Sequence, residues 1–152
     1  MNDKFKAIVL NQFGEKFSRE IKILDKNFFK SGDVLVKVDY SSLNYKDALI
    51  LKNGGKLVKT YPHIPGIDFS GKVIESDSVN FKPGDDVVLT GCKVGEISPG
   101  GYSQLVKVNS ELLVKKPDSI SNKNAMILGT AGFTSLLCSF AIKAREEILL
   151  GE

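Results

Sequence analysis

Asn44 and Tyr45 place an amide and a phenol side by side where a run of alternating apolar residues, Val34 to Ser41, gives way to a short helical pattern. An answering stretch, Ile64-Pro65-Gly66-Ile67-Asp68-Phe69-Ser70-Gly71, turns through Pro-Gly and re-enters an extended run with an acid directly after the turn. Junctions of this kind let a rigid scaffold hold polar groups against a ligand. Asn44 also fits a helix N-cap, with Asp47 three residues on in the first turn. That cap uses the side-chain oxygen and leaves the amide nitrogen free for a ligand. For Tyr45 the plainer reading is a half-buried aromatic with a wet hydroxyl.

Other chemistries find no foothold. His63 is the single histidine, so no Ser/His/Asp constellation can form, and it reads as a loop residue without catalytic duty. Cys92 and Cys138 are the two cysteines, far apart and outside any C-x-x-C pair, which argues against zinc. Cys138, inside Leu136-Leu137-Cys138-Ser139-Phe140, reads as a small apolar core residue. No P-loop is present, and the glycines at 91, 95, 100 and 101 do not match the G-x-G-x-x-G spacing of a dinucleotide fold. The 21 basic residues are scattered, with a net charge of +3 and no basic stripe, so nucleic acid is not an expected partner.

The elements that must position these residues follow from period and punctuation. Extended runs are expected over 5–10, 17–24, 34–41, 67–76, 86–90, 102–108 and 112–115. In the run from Val34, alternation puts Val34, Val36, Val38 and Tyr40 on one face. The helix after Asn44 should end at Asn53-Gly54-Gly55 and bury Ala48 and Leu49. Asn80 to Asp85 reads as a tight turn with Pro83 and Gly84 at its centre. From Asp118 the period becomes helical, over 122–128 and from Phe133 to Leu150, interrupted at Gly129-Thr130-Ala131-Gly132. The layout is mainly β with α: a barrel-like unit over 1–120 and C-terminal helices over 121–152. With 152 residues, 42% hydrophobic and 26% charged, a packed core is within reach. Met1 to Lys6 lacks a signal peptide's apolar run, nothing approaches a membrane span, and the cysteine usage suits a reducing cytoplasm.

The segments Ser41–Ala48 and Pro65–Gly71, with Phe81-Lys82-Pro83-Gly84-Asp85, Leu89-Thr90-Gly91, Gly100-Gly101-Tyr102-Ser103-Gln104 and Gly129-Thr130-Ala131-Gly132-Phe133-Thr134, resemble the catalytic domain of the zinc-independent medium-chain dehydrogenase/reductases. Within that superfamily the chain looks like the NADPH-dependent acrylyl-CoA reductase group, often labelled quinone oxidoreductase-like. The resemblance runs from about Phe5 to about Ile142. It implies a GroES-like β-barrel catalytic domain, followed in the family by a Rossmann domain that is absent from this sequence. Residue by residue, it implies that Tyr45, Asn44 and Thr134 contact NADPH, Tyr45 near the nicotinamide. Asp68 stands where zinc-dependent relatives place metal-binding or supporting groups. With no cysteine at Asn44 and no cysteine-rich lobe, no metal is expected.

The implied reaction reduces the C=C of an α,β-unsaturated acyl-CoA, or a quinone or enone, with no proton donor assigned. Partners are a small-molecule substrate, not a membrane or nucleic acid. Family members dimerise largely through the Rossmann domain, and this chain alone is expected to be inactive and to self-associate. A stand-alone GroES-like interaction module without catalysis is the other expectation.

Overall fold

A computed structural model describes residues 3–150. Met1 and Asn2, part of the stretch read as leaderless, lie outside them, as do the side chains of Glu146 and Glu147. The strands are β1 (Lys4–Phe13), β2 (Lys16–Asp25), β3 (Val34–Ser41), β4 (Asp68–Ser76), β5 (Asp86–Thr90), β6 (Leu105–Val108) and β7 (Val114–Lys115). Two helices, α1 (Tyr45–Asn53) and α2 (Asn122–Leu150), complete the framework. A five-stranded antiparallel sheet runs β6-β3-β4-β5-β7, and β1 and β2 form a separate hairpin.

The main core is an aliphatic interior drawn from successive strands: Val34 and Val36, Phe69 and Val73, Val87 and Leu89, Val106 and Val108. Period-2 alternation brings these side chains to one face of the curled sheet. The hairpin covers the sheet's other side, where Phe5, Ala7 and Val9 pack with Leu35 and Ile64. The burial of both Val34/Val36 and Leu35 shows why alternation in β3 looks strong yet both faces are apolar at its start.

That alternation does not last the strand. Val38 pairs with Gly71 and Tyr40 with Ser70, so Asp39 is an extra residue in β3. A bulge of this kind bends the strand and re-aims its end. Tyr40 is therefore largely exposed rather than aligned with the valines, and Asp39 accepts a hydrogen bond from Asn122 Nδ2 at 2.7 Å.

In α1 the inward face also differs from the expectation. Ala48 and Leu49 are exposed, and Asp47 and Ile50 are the buried pair. The phase is set by Asp47, whose Oδ1 accepts from Ile67 N–H at 3.0 Å and so must face the barrel. Gly54 ends the helix in the left-handed conformation, as the glycine pair promised.

The helical stretch at the C-terminus divides at Gly129, inside the expected interruption, and the second segment starts at Thr130 rather than Phe133. Gly129 alone leaves helical geometry (φ 50°, ψ −158°), and helix resumes at once. Taken across that kink, Asn122–Arg145 is long and apolar enough, by length and composition only, to cross a membrane. Only 17% of its most apolar window is buried. The expectation that nothing approaches such a span is thereby corrected. Cys138 is corrected with it: the helix is exposed there, and so is the thiol, rather than in a core.

Candidate functional site

Asp68 is the first residue of β4 and is completely buried. An isolated buried carboxylate is costly unless its lone pairs are filled. Here five donors fill them. Oδ2 accepts from Ser42 Oγ at 2.6 Å, Asn44 Nδ2 at 3.0 Å and Thr130 N–H at 2.8 Å. Oδ1 accepts from Thr130 Oγ1 at 2.6 Å and Gly91 N–H at 3.1 Å. Burial pushes the Asp68 carboxyl upward, but the bonds from Ser42, Thr130 and Asn44 outweigh it and hold the group below its ordinary range.

The donors come from three separate pieces of chain. Ser42 and Asn44 are the β3–α1 junction, Gly91 follows β5, and Thr130 lies just past the kink of α2. The kink is what frees Thr130 N–H. With helical geometry broken at Gly129, that N–H turns to the carboxylate, and the helical segment from Thr130 onward starts against an anion. Only glycine fits the break. A Cβ at position 129 would stand 2.9 Å from Asp68 Oδ2 and 3.0 Å from Ser42 Oγ, at a φ that side chains avoid.

A second carboxylate braces the first. Asp47 Oδ2 accepts from Asn44 N–H at 2.9 Å and from Asn44 Nδ2 at 3.3 Å. Tyr102 adds its hydroxyl to Ser42 O at 3.0 Å. Burial and the neighbouring Asp47 and Asp68 push the Tyr102 phenol well above its ordinary range, so it serves as a neutral donor.

The three residues singled out from sequence fall around this hub in different ways. Asn44 lies within it, and its amide is not free: it donates to Ser42, Asp47 and Asp68. Tyr45, one residue on, is 81% exposed rather than half-buried, and its hydroxyl has no partner among the described residues. Thr134 is exposed one turn beyond Thr130 and donates its hydroxyl to Thr130 O at 2.8 Å. Sequence reasoning noted Asp68 after the Pro-Gly turn without placing it at the centre of the site, and it missed Thr130 and Ser42 as its partners. The signal was an acid placed at a strand entry among apolar residues, where burial demands partners. Among the described residues no group of three or more His, Cys, Asp or Glu gathers to hold a metal.

Comparison with known proteins agrees with this fold. The profile of the alcohol dehydrogenase GroES-like domain matches residues 30–118. The chain is 45% identical over 141 residues to acrylyl-CoA reductase AcuI of Ruegeria pomeroyi, covering 91% of this chain and 43% of that protein. It is 39% identical to the putative quinone oxidoreductase YhfP of Bacillus subtilis, covering 90% of this chain and 42% of the relative. Among solved structures, the yhdH oxidoreductase of Salmonella enterica in complex with NADP superposes with a TM-score of 0.87 at 44% identity, covering 91% of this chain and 43% of that one. The Bacillus subtilis yhfP protein with NAD bound gives 0.88 at 37%, with coverages of 93% and 43%. The chain thus spans less than half the length of these relatives. The profile match and these likenesses together place the chain in the alcohol dehydrogenase GroES-like domain family, among the medium-chain dehydrogenase/reductases.

Proposed function

We propose that this chain forms the catalytic-domain wall of an NADPH-dependent oxidoreductase that reduces the C=C of an α,β-unsaturated acyl thioester, acrylyl-CoA being the type substrate. One observation carries the reading. A single buried carboxylate fixes the segment that presents Tyr45 and the helical turn that presents Thr134, in a chain whose relatives include an acrylyl-CoA reductase and an NADP-bound oxidoreductase.

The residues present fit a carboxamide-bearing ring. Thr134 Oγ1 spends its proton on Thr130 O, so what it offers a ligand is a lone pair, suited to a carboxamide N–H. Tyr45 offers a free hydroxyl that can donate to a polarised carbonyl or enolate oxygen. Asn44, its amide committed, acts through the scaffold by holding the Ser42–Asp47 segment on Asp68. When bound, the reduced nicotinamide supplies hydride to the β-carbon. The chain's own part is orientation and stabilisation of the developing enolate charge; no described side chain is assigned as proton donor. The place of action we propose is the cytoplasm.

The test is a chimera joining residues 1–142 to the remaining length of the Ruegeria pomeroyi reductase. The chimera should consume NADPH with acrylyl-CoA, while the 152-residue chain alone should give no binding heat with NADPH in calorimetry. A folded chimera that binds NADPH but reduces no acyl-CoA, quinone or enone sinks the reading. Micromolar NADPH binding by the chain alone would overturn the requirement for a second domain.

A further inference from the structure

His63 belongs to none of the machinery above, yet it is 98% buried (2% exposed). Its backbone is pinned on both sides: N–H donates to Leu10 O at 3.0 Å, and O accepts from Leu10 N–H at 2.8 Å. Its Nε2 lies 2.8 Å from Gly95 O. A carbonyl can only accept, so Nε2 carries the proton. Burial holds the ring's pKa below its ordinary value, partly offset by the Gly95 bond, so the imidazole is neutral. Nδ1 is then left as a bare lone pair, with no hydrogen-bond partner among the described residues.

The ring lines a cavity of about 370 Å³ with Phe28, Pro62, Ile97 and Pro99 as apolar walls and the exposed Lys30, Ser31 and Thr60 at its polar rim, the Lys30 ammonium being held by Asn27 O at 3.0 Å. Among these polar side chains only His63 is buried and fixed, and mostly apolar walls with a few placed polar groups are the usual make-up of a small-molecule pocket. The polar group selects the ligand. A lone pair repels a carboxylate or phosphate oxygen and attracts an O–H or N–H. The walls select its body: an aromatic ring and two proline faces suit a flat apolar ring better than a flexible chain.

We propose that this cavity is a binding site, separate from the Asp68 junction, for a small hydroxyaromatic ligand of the phenol class that donates its O–H to Nδ1 of His63. The site is built before the ligand arrives, because the ring is held by Gly95 and the backbone by β1. The lining residues come from 28–31, 60–63 and 97–99, and none of them is a donor to Asp68.

The single histidine makes the test direct, since an isotope-labelled histidine gives one imidazole signal. The labelled chain is titrated with phenol and, separately, with toluene, which has the same shape without the hydroxyl. Phenol should shift the Nδ1 resonance saturably and bind about tenfold more tightly than toluene, the usual worth of one well-placed hydrogen bond. Ile97→Lys, at an exposed wall position, should abolish the phenol response without changing the melting temperature. Equal affinity for toluene would reduce the cavity to an apolar crevice and overturn the proposal. So would an unmoved Nδ1 signal, or a phenol response that survives in folded Ile97→Lys.

Discussion

At the scale of the residue, Asp68 is a structural acid, and its removal is informative. Asp68→Ala would orphan the Ser42 and Thr130 hydroxyls, the Thr130 N–H and one Asn44 donor. Each unsatisfied buried donor costs about 1–3 kcal/mol, so a loss of at least about 3 kcal/mol is expected in chemical denaturation. The pH dependence has a definite sign. Asp68 titrates below its ordinary 3.8 in the fold, so its contribution is complete above that value and fades as pH falls below it. His63 titrates below its ordinary 6.5, so the unfolded chain takes up a proton that the folded chain refuses, and stability falls as pH drops beneath 6.5. Acid should therefore weaken the protein in two stages in urea titrations, and His63→Gln should remove the earlier one. Tyr45 and Thr134 are exposed and bear on the ligand instead. In the chimera, Tyr45→Phe and Thr134→Val should each lower kcat/KM about tenfold, the scale of one lost hydrogen bond, with unchanged melting.

At the scale of the element, α2 carries the decisive device, a one-residue break that points an N–H at a carboxylate. Gly129→Ala forces a Cβ onto Asp68 Oδ2 and Ser42 Oγ in a left-handed conformation. It should destabilise by about 1–3 kcal/mol. Gly132, three residues on, is helical, and a Cβ there would stand 3.1 Å from Leu128 Cβ, which no rotamer change can move. That crowding works against the gain of about 0.5–1 kcal/mol that alanine brings to a helix interior, so Gly132→Ala should cost less than Gly129→Ala. The two melting curves together separate the glycine that needs positive φ from the one that is only crowded. α1 shows the same logic in reverse: its register follows the buried Asp47, not the apolar residues beside it.

At the scale of the whole molecule, the barrel is packed and α2 is not. Ile127, Phe133, Leu136, Leu137, Phe140 and Ile142 are all largely exposed. An apolar groove of about 520 Å³ runs between the helix and β5 and β7, with Val88, Val114, Leu128 and Phe133 in its walls. Exposed apolar surface on this scale drives association. The 152-residue chain should self-associate in sedimentation velocity, and the double change Leu136→Lys, Phe140→Lys should shift it toward monomer. A monodisperse, cooperatively unfolding monomer would favour a stand-alone module instead.

The strands, the tight turn at Pro83-Gly84, the cap at Asn44 and the stop at Gly54 were legible in the sequence. Each rests on rules that act within a few residues, such as alternation, turn chemistry and capping. So was the family, because its motifs are local and ordered. The tertiary structure decided the rest. Asp68 meets Asn44 across 24 positions and Thr130 across 62, and His63 meets Gly95 across 32. No periodicity encodes such meetings. The sequence by itself determined that a polar junction stood at Asn44-Tyr45. Only the packing of three distant segments on one buried charge determined that Asn44 is held within the site while Tyr45 stands out from it.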